Sequence, residues 1–361
     1  MKVGSRLLID AESGRVNRAW VESLVDDLLR MRKRDQQIIL VSSGAIALGR
    51  QRLRLPPRGS LRLEESQAAA AVGQIGLAHM YKELLEAREV TVAQVLLTLD
   101  DSEQRRRYLN ARATLEALLS LGALPVINEN DTVATAEIRY GDNDRLAARV
   151  AQMTSADCLI LLSDVDGLFS ADPHKERGAW FIHTVDEITP QIEARAGRSA
   201  SDVGSGGMAS KIAAARIAMS AGCHLCVAAG AHHRPLRRIE EGDDCTWFIP
   251  TATPVTARKQ WIAGALRPAG ALTVDEGAQR ALLEGRSLLP AGVIGTKGSF
   301  DRGDTVSVLT GVGAEVARGI VAFSDADVAR IMGRRTSEIE ALLGFRGRAE
   351  MIHRDNLVLM R

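Results

Sequence analysis

Lys2 and Lys211 are the two side chains whose surroundings point most directly to chemistry. Each stands by a glycine turn, Lys2-Val3-Gly4-Ser5 at the start and Gly204-Ser205-Gly206-Gly207-Met208-Ala209-Ser210-Lys211 further on. Glycines ahead of a helix expose backbone N–H groups at the positive end of its dipole, which makes an anion site. A lysine in that first turn gains nothing from the dipole, and it makes sense if a phosphate shares the space. No Gly-Lys pair occurs in the chain, so the P-loop pattern is excluded. Gly204-x-Gly206-x-x-Ala209 formally fits a dinucleotide fingerprint. The apolar run that follows, Leu225–Ala229, ends without the acidic residue that would hold a ribose.

Carboxylates and amides are concentrated between Leu124 and Asp144, LPVINENDTVATAEIRYGDND. An apolar run reads as a buried strand and stops abruptly at Asn128-Glu129-Asn130-Asp131. Gly141-Asp142-Asn143-Asp144 then opens a helix. A polar turn with an N-capped helix would account for Asp142 alone. The two clusters together sit where open α/β sheets bind ligands, past the carboxyl ends of strands. Two lysines, several carboxylates and two glycine turns around one strand edge are the parts that phosphoryl transfer uses.

These groups need a sheet to bring them together. Trp20, Val21, Leu24, Val25, Leu28 and Leu29 recur with helical period behind a capping Asn17. Ile38–Val41 reads as a strand covered on both faces, and it ends in the small residues Ser42-Ser43-Gly44-Ala45. Further helices are expected over Glu64–Arg88, Arg105–Leu121 and Asp144–Thr154, and from the second glycine turn through Ala221. Further strands are expected over Thr91–Leu97, Asp157–Leu162, Leu225–Ala229 and Thr246–Ile249. This alternation argues a mainly parallel sheet with helices on both faces. After Trp261 the pattern becomes short β-like runs with frequent glycine, which reads as a small β-rich domain from about residue 270.

The 361 residues allow two domains. With 46% hydrophobic and 25% charged residues and a net charge of +1, no global field favours nucleic acid or a membrane. No secretory leader or membrane-length apolar run is visible, so a cytoplasmic location is expected. Of the four cysteines, Cys158 and Cys226 are expected to be buried free thiols. Cys223-x-x-Cys226 has zinc or redox spacing, but no second pair answers it.

The K-x-G-S start, SSGAIALG, INENDTVATAEI, GDND, LLSDVDGLF and GSGGMASK together resemble the amino acid kinase family. The tail, with Asp275-Glu276-Gly277-Ala278, Ser287-Leu288-Leu289-Pro290 and Phe300-x-Arg302-Gly303-Asp304, resembles a PUA domain. The resemblance implies an α/β, amino acid kinase-like three-layer fold with a mainly parallel sheet, followed by a small β-rich PUA-like domain. Residues 1–262 would be the kinase domain, 263–269 a linker and 270–361 the PUA-like domain. Within the family, the nearest pattern is that of members using ATP and Mg²⁺ to phosphorylate the γ-carboxylate of L-glutamate, the first step of proline synthesis.

By the same resemblance Lys2 and Lys211 contact the transferring phosphoryl group from the substrate and nucleotide sides, and Asp144 orients both. Ser43, Gly44, Ala45, Asp131 and Asn143 match the positions that bind glutamate. Lys2, Ser163, Asp164, Ser205, Gly206, Gly207, Met208, Ala209, Ser210 and Lys211 match the ATP site. Mg²⁺ would be held by nucleotide oxygens and water, with no protein side chain assigned to it. A homodimer or homotetramer and feedback inhibition by proline are also implied. The family has several strand residues ahead of its lysine and this chain has one, so a loosely held Lys2 is expected. Arg139 stands where the family often has lysine, which keeps the charge and changes the geometry of contact.

Two other readings stay open. A sister kinase of the same fold could act on another carboxylate or on carbamate. An RNA-binding factor could act through the PUA-like domain, which predicts a basic face with exposed aromatics. The tail offers Phe300, Phe323 and Phe345 but no Trp or Tyr, and its basic residues are interspersed with acidic ones. A structural or oligomer-modulating appendage is the preferred reading of the tail.

Overall fold

The computed structural model of the chain describes residues 1–10, 14–56, 59, 61–134, 143–171, 176–195, 207–263, 268–345 and 347–360. The chain divides into two compact units, Met1–Thr253 and Pro254–Arg361. Of the expected linker, residues 264–267 lie outside the described residues.

The strands of the first unit are β1 (Lys2–Val3), β2 (Leu40–Ser42), β3 (Val92–Leu97), β4 (Leu124–Glu129), β5 (Cys158–Ser163), β6 (Leu168–Phe169), β7 (Phe181–Ile182), β8 (Thr184–Val185), β9 (His224–Ala229) and β10 (Cys245–Phe248). Its helices are α1 (Ser5–Leu8), α2 (Arg18–Arg32), α3 (Ala45–Arg52), α4 (Leu63–Glu86), α5 (Leu99–Glu103), α6 (Arg105–Ser120), α7 (Asn143–Thr154), α8 (Pro190–Arg195), α9 (Met208–Ser220) and α10 (Pro235–Glu241). Eight strands form one sheet in the order β3-β4-β2-β1-β5-β9-β10-β8, and β6 pairs with β7 separately. Every pairing in the large sheet is parallel except β9 with β10.

The period-2 alternation of a strand divides the apolar residues between two cores. Val3, Leu40, Leu124, Val126 and Leu162 face one way, onto Trp20, Leu24, Leu28, Leu77, Tyr81 and Leu85 of α2 and α4. Val41, Ile127, Leu159, Leu161, Leu225 and Val227 face the other way, onto Leu115, Leu146, Val150, Ile212 and Ala215 of α6, α7 and α9. The result is three layers, helix–sheet–helix, with the strands covered on both faces.

Two expectations are corrected here. The strand expected over Ile38–Val41 forms over Leu40–Ser42, where it pairs with Lys2 and Val3 of β1 on one side and with Val126 and Ile127 of β4 on the other. Cys158, expected to be buried, is an exposed free thiol at the outer end of β5. Cys223 and Cys226 are buried and free, but they belong to different clusters on opposite faces of β9. An extended strand therefore undoes the zinc-like spacing, and no metal-binding group of three side chains occurs among the described residues. No helix among them is long and apolar enough to cross a membrane.

The second unit begins with α11 (Pro254–Ala263), and its five-stranded sheet runs β12-β11-β13-β14-β15. These strands are β11 (Gly270–Val274), β12 (Val293–Gly298), β13 (Thr305–Thr310), β14 (Glu315–Ile320) and β15 (Leu357–Leu359). Phe300 and Phe323 are buried in its core, leaving Phe345 exposed. Two of the three aromatics that an RNA face could have used are thus spent on packing.

In the first unit, α3 and α4 cross with their backbones in contact. A Cβ on Gly73 would lie 1.8 Å from the carbonyl oxygen of Ala45, and one on Gly49 would lie 1.7 Å from that of Ala69. Glycine is required at both positions because no side chain fits between the helices. Gly76 lies in the same helix as Gly73, and a Cβ there would meet nothing within 4 Å. Gly73→Ala is expected to lower stability by about 1–3 kcal/mol through overpacking. Gly76→Ala is expected to raise it by about 0.5–1 kcal/mol, the ordinary gain of alanine in a helix. Urea denaturation of the two variants measures both, and equal effects would contradict the crossing.

Candidate active site

The carboxyl ends of β1, β2, β4 and β5 open into one cavity of about 690 Å³. Its lining includes Lys2, Ser43, Gly44, Ala45, Asn128, Glu129, Asp131, Asn143, Ser163, Asp164, Gly207, Met208 and Lys211, contributed by strand ends and by the starts of three helices.

Lys2 sits in a two-residue strand, yet it is held on both sides. It pairs with Val41 of β2 and Leu161 of β5, and only 7% of it is exposed. The expectation of a loosely held lysine is not met, since the neighbouring strands supply the order that its own short strand lacks. Its ammonium lies 2.6 Å from Oδ1 of Asp144. Lys211, in the first turn of α9, lies 3.1 Å from Oδ2 of the same carboxylate. Asp144 is fully buried at the second residue of α7, where the helix dipole favours a negative charge. One carboxylate thus holds two buried ammoniums side by side on the cavity wall, cations placed to meet an anion.

On the substrate side, β2 ends at Ser42 and turns through Gly44, whose φ of +106° is left-handed and suits glycine. The turn starts α3 at Ala45, so the positive end of that helix faces the cavity. The side-chain nitrogen of Asn143 donates to the Ser42 carbonyl (3.2 Å), to Ser43 Oγ (2.8 Å) and to Asn128 Oδ1 (2.9 Å). Asn128 Nδ2 in turn donates to Gln74 Oε1 at 2.7 Å.

On the other side, Ser163 Oγ donates to Asp164 at 3.1 Å, and Arg6 pairs with Asp164 at 2.7 Å across the mouth. Burial works to raise the Asp164 carboxyl. Hydrogen bonds from Arg6, from its own backbone N–H and from Ser163 outweigh this and hold it below the usual carboxylate range. Met208 and Gly207 line the cavity, whereas Ala209 and Ser210 follow in the same turn outside the lining. The buried Ser210 hydroxyl has no hydrogen-bond partner among the described residues. Ser205 and Gly206 lie outside the described residues, as do Arg139, Gly141 and Asp142.

The sequence pattern of the amino acid kinase family matches residues 1–229, and that of the PUA domain matches residues 270–343. The chain belongs to the amino acid kinase family. Among relatives in this family, a glutamate 5-kinase of Paramagnetospirillum magneticum is 60% identical over 359 residues, covering 99% of this chain and 96% of its own length. A glutamate 5-kinase of Rhizobium etli is 56% identical and one of Agrobacterium fabrum is 55% identical, each covering 99% of this chain and 92% of its own length.

Three contributors to this amino acid kinase site had little or no sequence signal. Asn128 stood inside the polar cluster but looked no different from its neighbours. Arg6 followed the first glycine turn as an ordinary surface cation. Gln74 lay in an alanine-rich helix far from every motif. Asp144→Asn is expected to cost about 3–5 kcal/mol, because it removes the buried carboxylate that both ammoniums share. A urea titration checks this, and a loss well below that range would show that other groups hold the lysines.

Proposed function

We propose that the protein transfers the γ-phosphoryl group of ATP to the γ-carboxylate of L-glutamate, giving L-glutamyl 5-phosphate, the opening step of proline synthesis. The observation that carries this reading is the buried Lys2–Asp144–Lys211 bridge on the wall of a cavity that strand ends and helix starts enclose. The names and the 55–60% identity of the relatives support the choice of substrate.

The nucleophile needs no general base, since a free γ-carboxylate with a pKa of about 4.3 is ionised at neutral pH. The obstacle is repulsion between that anion and the polyphosphate. In a loose transition state the charge spreads over the equatorial oxygens of the transferring group. Lys2 and Lys211, fixed in advance by one carboxylate, stabilise that charge without reorganising. In this reading the start of α3, with Ser43, Gly44 and Ala45, faces the glutamate, together with Asp131 and Asn143. Ser163, Asp164, Gly207, Met208 and Lys211 face the nucleotide, with Ala209 and Ser210 in the same helical turn behind them, and Ser205 and Gly206 are assigned to the nucleotide by sequence alone.

Mg²⁺ fits as a companion of the nucleotide, because it needs only one or two carboxylates and keeps several waters. Bound there with the nucleotide, it would supply positive charge against the polyphosphate. The reading also carries a cytoplasmic location, a homo-oligomer and inhibition by proline.

The test is ATP-dependent formation of hydroxamate from L-glutamate with hydroxylamine and Mg²⁺. The full chain is expected to form it, and Lys211→Ala is expected to lose about 10²–10³-fold in kcat, the scale of removing one preorganised electrostatic contact. ATP hydrolysis or transfer to another carboxylate, with no glutamate-dependent product, would overturn the assignment in favour of a sister kinase.

A further inference from the structure

The hydrogen bonds behind the substrate wall carry directional information. Asn143 Nδ2 donates to a backbone carbonyl, that of Ser42, and a carbonyl can only accept. Asn128 Oδ1 accepts from the backbone N–H of Glu129 at 2.9 Å, and an N–H can only donate. The orientations of both amides are therefore fixed by main-chain groups, so that oxygen and nitrogen cannot be interchanged. With its nitrogen turned to Ser42, Ser43 and Asn128, Asn143 is left with an amide oxygen that takes no hydrogen bond from the described residues, on a residue lining the cavity.

The chain of donors ends at Gln74 on α4. Its Oε1 accepts from Asn128 Nδ2, and Asn128 is buried, only 3% exposed. The Gln74 nitrogen is itself buried and makes no hydrogen bond among the described residues. The acceptor alone is what Gln74 supplies.

We propose that Gln74 is a positioning residue which, through Asn128, holds the Asn143 amide oxygen toward the cavity as an acceptor for the α-ammonium group of the amino acid substrate. The proposal rests on the reading of the substrate as glutamate. Without the Gln74 acceptor, Asn128 has a buried N–H₂ hydrogen with nowhere to go, and turning to satisfy it breaks the bond to Asn143. The carboxylate that receives the phosphoryl group is untouched by this relay, so the effect falls on recognition of the amino group.

The experiment compares Gln74→Met, which keeps the bulk and removes the acceptor, with Gln74→Glu, which keeps an acceptor at the same reach and replaces the unbonded nitrogen with a second, ionisable oxygen. Each is assayed with L-glutamate and with glutarate, the same diacid lacking the α-amino group. Gln74→Met is expected to lose about tenfold in kcat/KM for L-glutamate, the size of one hydrogen bond, through KM rather than kcat. Its kcat/KM for glutarate and its KM for ATP are expected to stay at the wild-type values, and Gln74→Glu is expected to restore the preference for glutamate. Equal losses on both diacids, no loss on either, or a Gln74→Glu variant as impaired as Gln74→Met would each overturn the proposal. A wild-type chain forming no glutamyl hydroxamate would overturn the substrate reading, and this inference with it. That outcome is told apart by being seen before any variant is made.

Discussion

One carboxylate lies between two buried ammonium groups, and much of the first unit is arranged around keeping it there. Lys2 comes from a central strand, Lys211 from the start of α9 and Asp144 from the start of α7. These elements are remote in sequence, and they meet because β1 and β5 are neighbours in the sheet and α7 packs against α9. Taking three charges out of water is unfavourable unless each finds a partner. The geometry places two buried ammoniums on one carboxylate at the cavity wall, where an anion is to be received. Function here begins as a buried cluster of charges that packing brings together.

The parallel sheet explains why the site stands where it does. Parallel strands send all their carboxyl ends to the same edge, and the next helix starts there with its N–H groups exposed. Ser43 and Gly44 after β2, Asn128 to Asp131 at and after β4, and Ser163 and Asp164 at the end of β5 and just after it are instances of one geometric fact. The shortness of β1 does little harm for the same reason. A central strand is positioned by its two neighbours, and Lys2 has both.

Much of this was legible in the sequence because the signals were local. Glycine turns, the abrupt stop after Ile127 and the helical period of α2 each depend on a few adjacent residues, and Asn17 caps α2 as its position implies. What was not legible depended on tertiary neighbours. Gln74 acquires its role only because α4 lies beside the end of β4. Cys158 reads as core from its apolar run, yet it is the outermost residue of its strand. The Cys223 and Cys226 pair has the spacing of a ligand set, and a strand sends the two side chains to opposite faces.

The crossing of α3 and α4 has a bearing on where this chain can change its length. Gly73, which lets α4 touch the first turn of α3, is adjacent in sequence to Gln74, where the amide relay begins. Successive residues of a helix are offset by about 100°. Inserting one residue in α4 ahead of Gly73 would swing both off their partners at once, parting the two backbones and cutting the relay in a single event. A site assembled from strand ends and helix starts is thereby tied to the register of one helix at its middle as well.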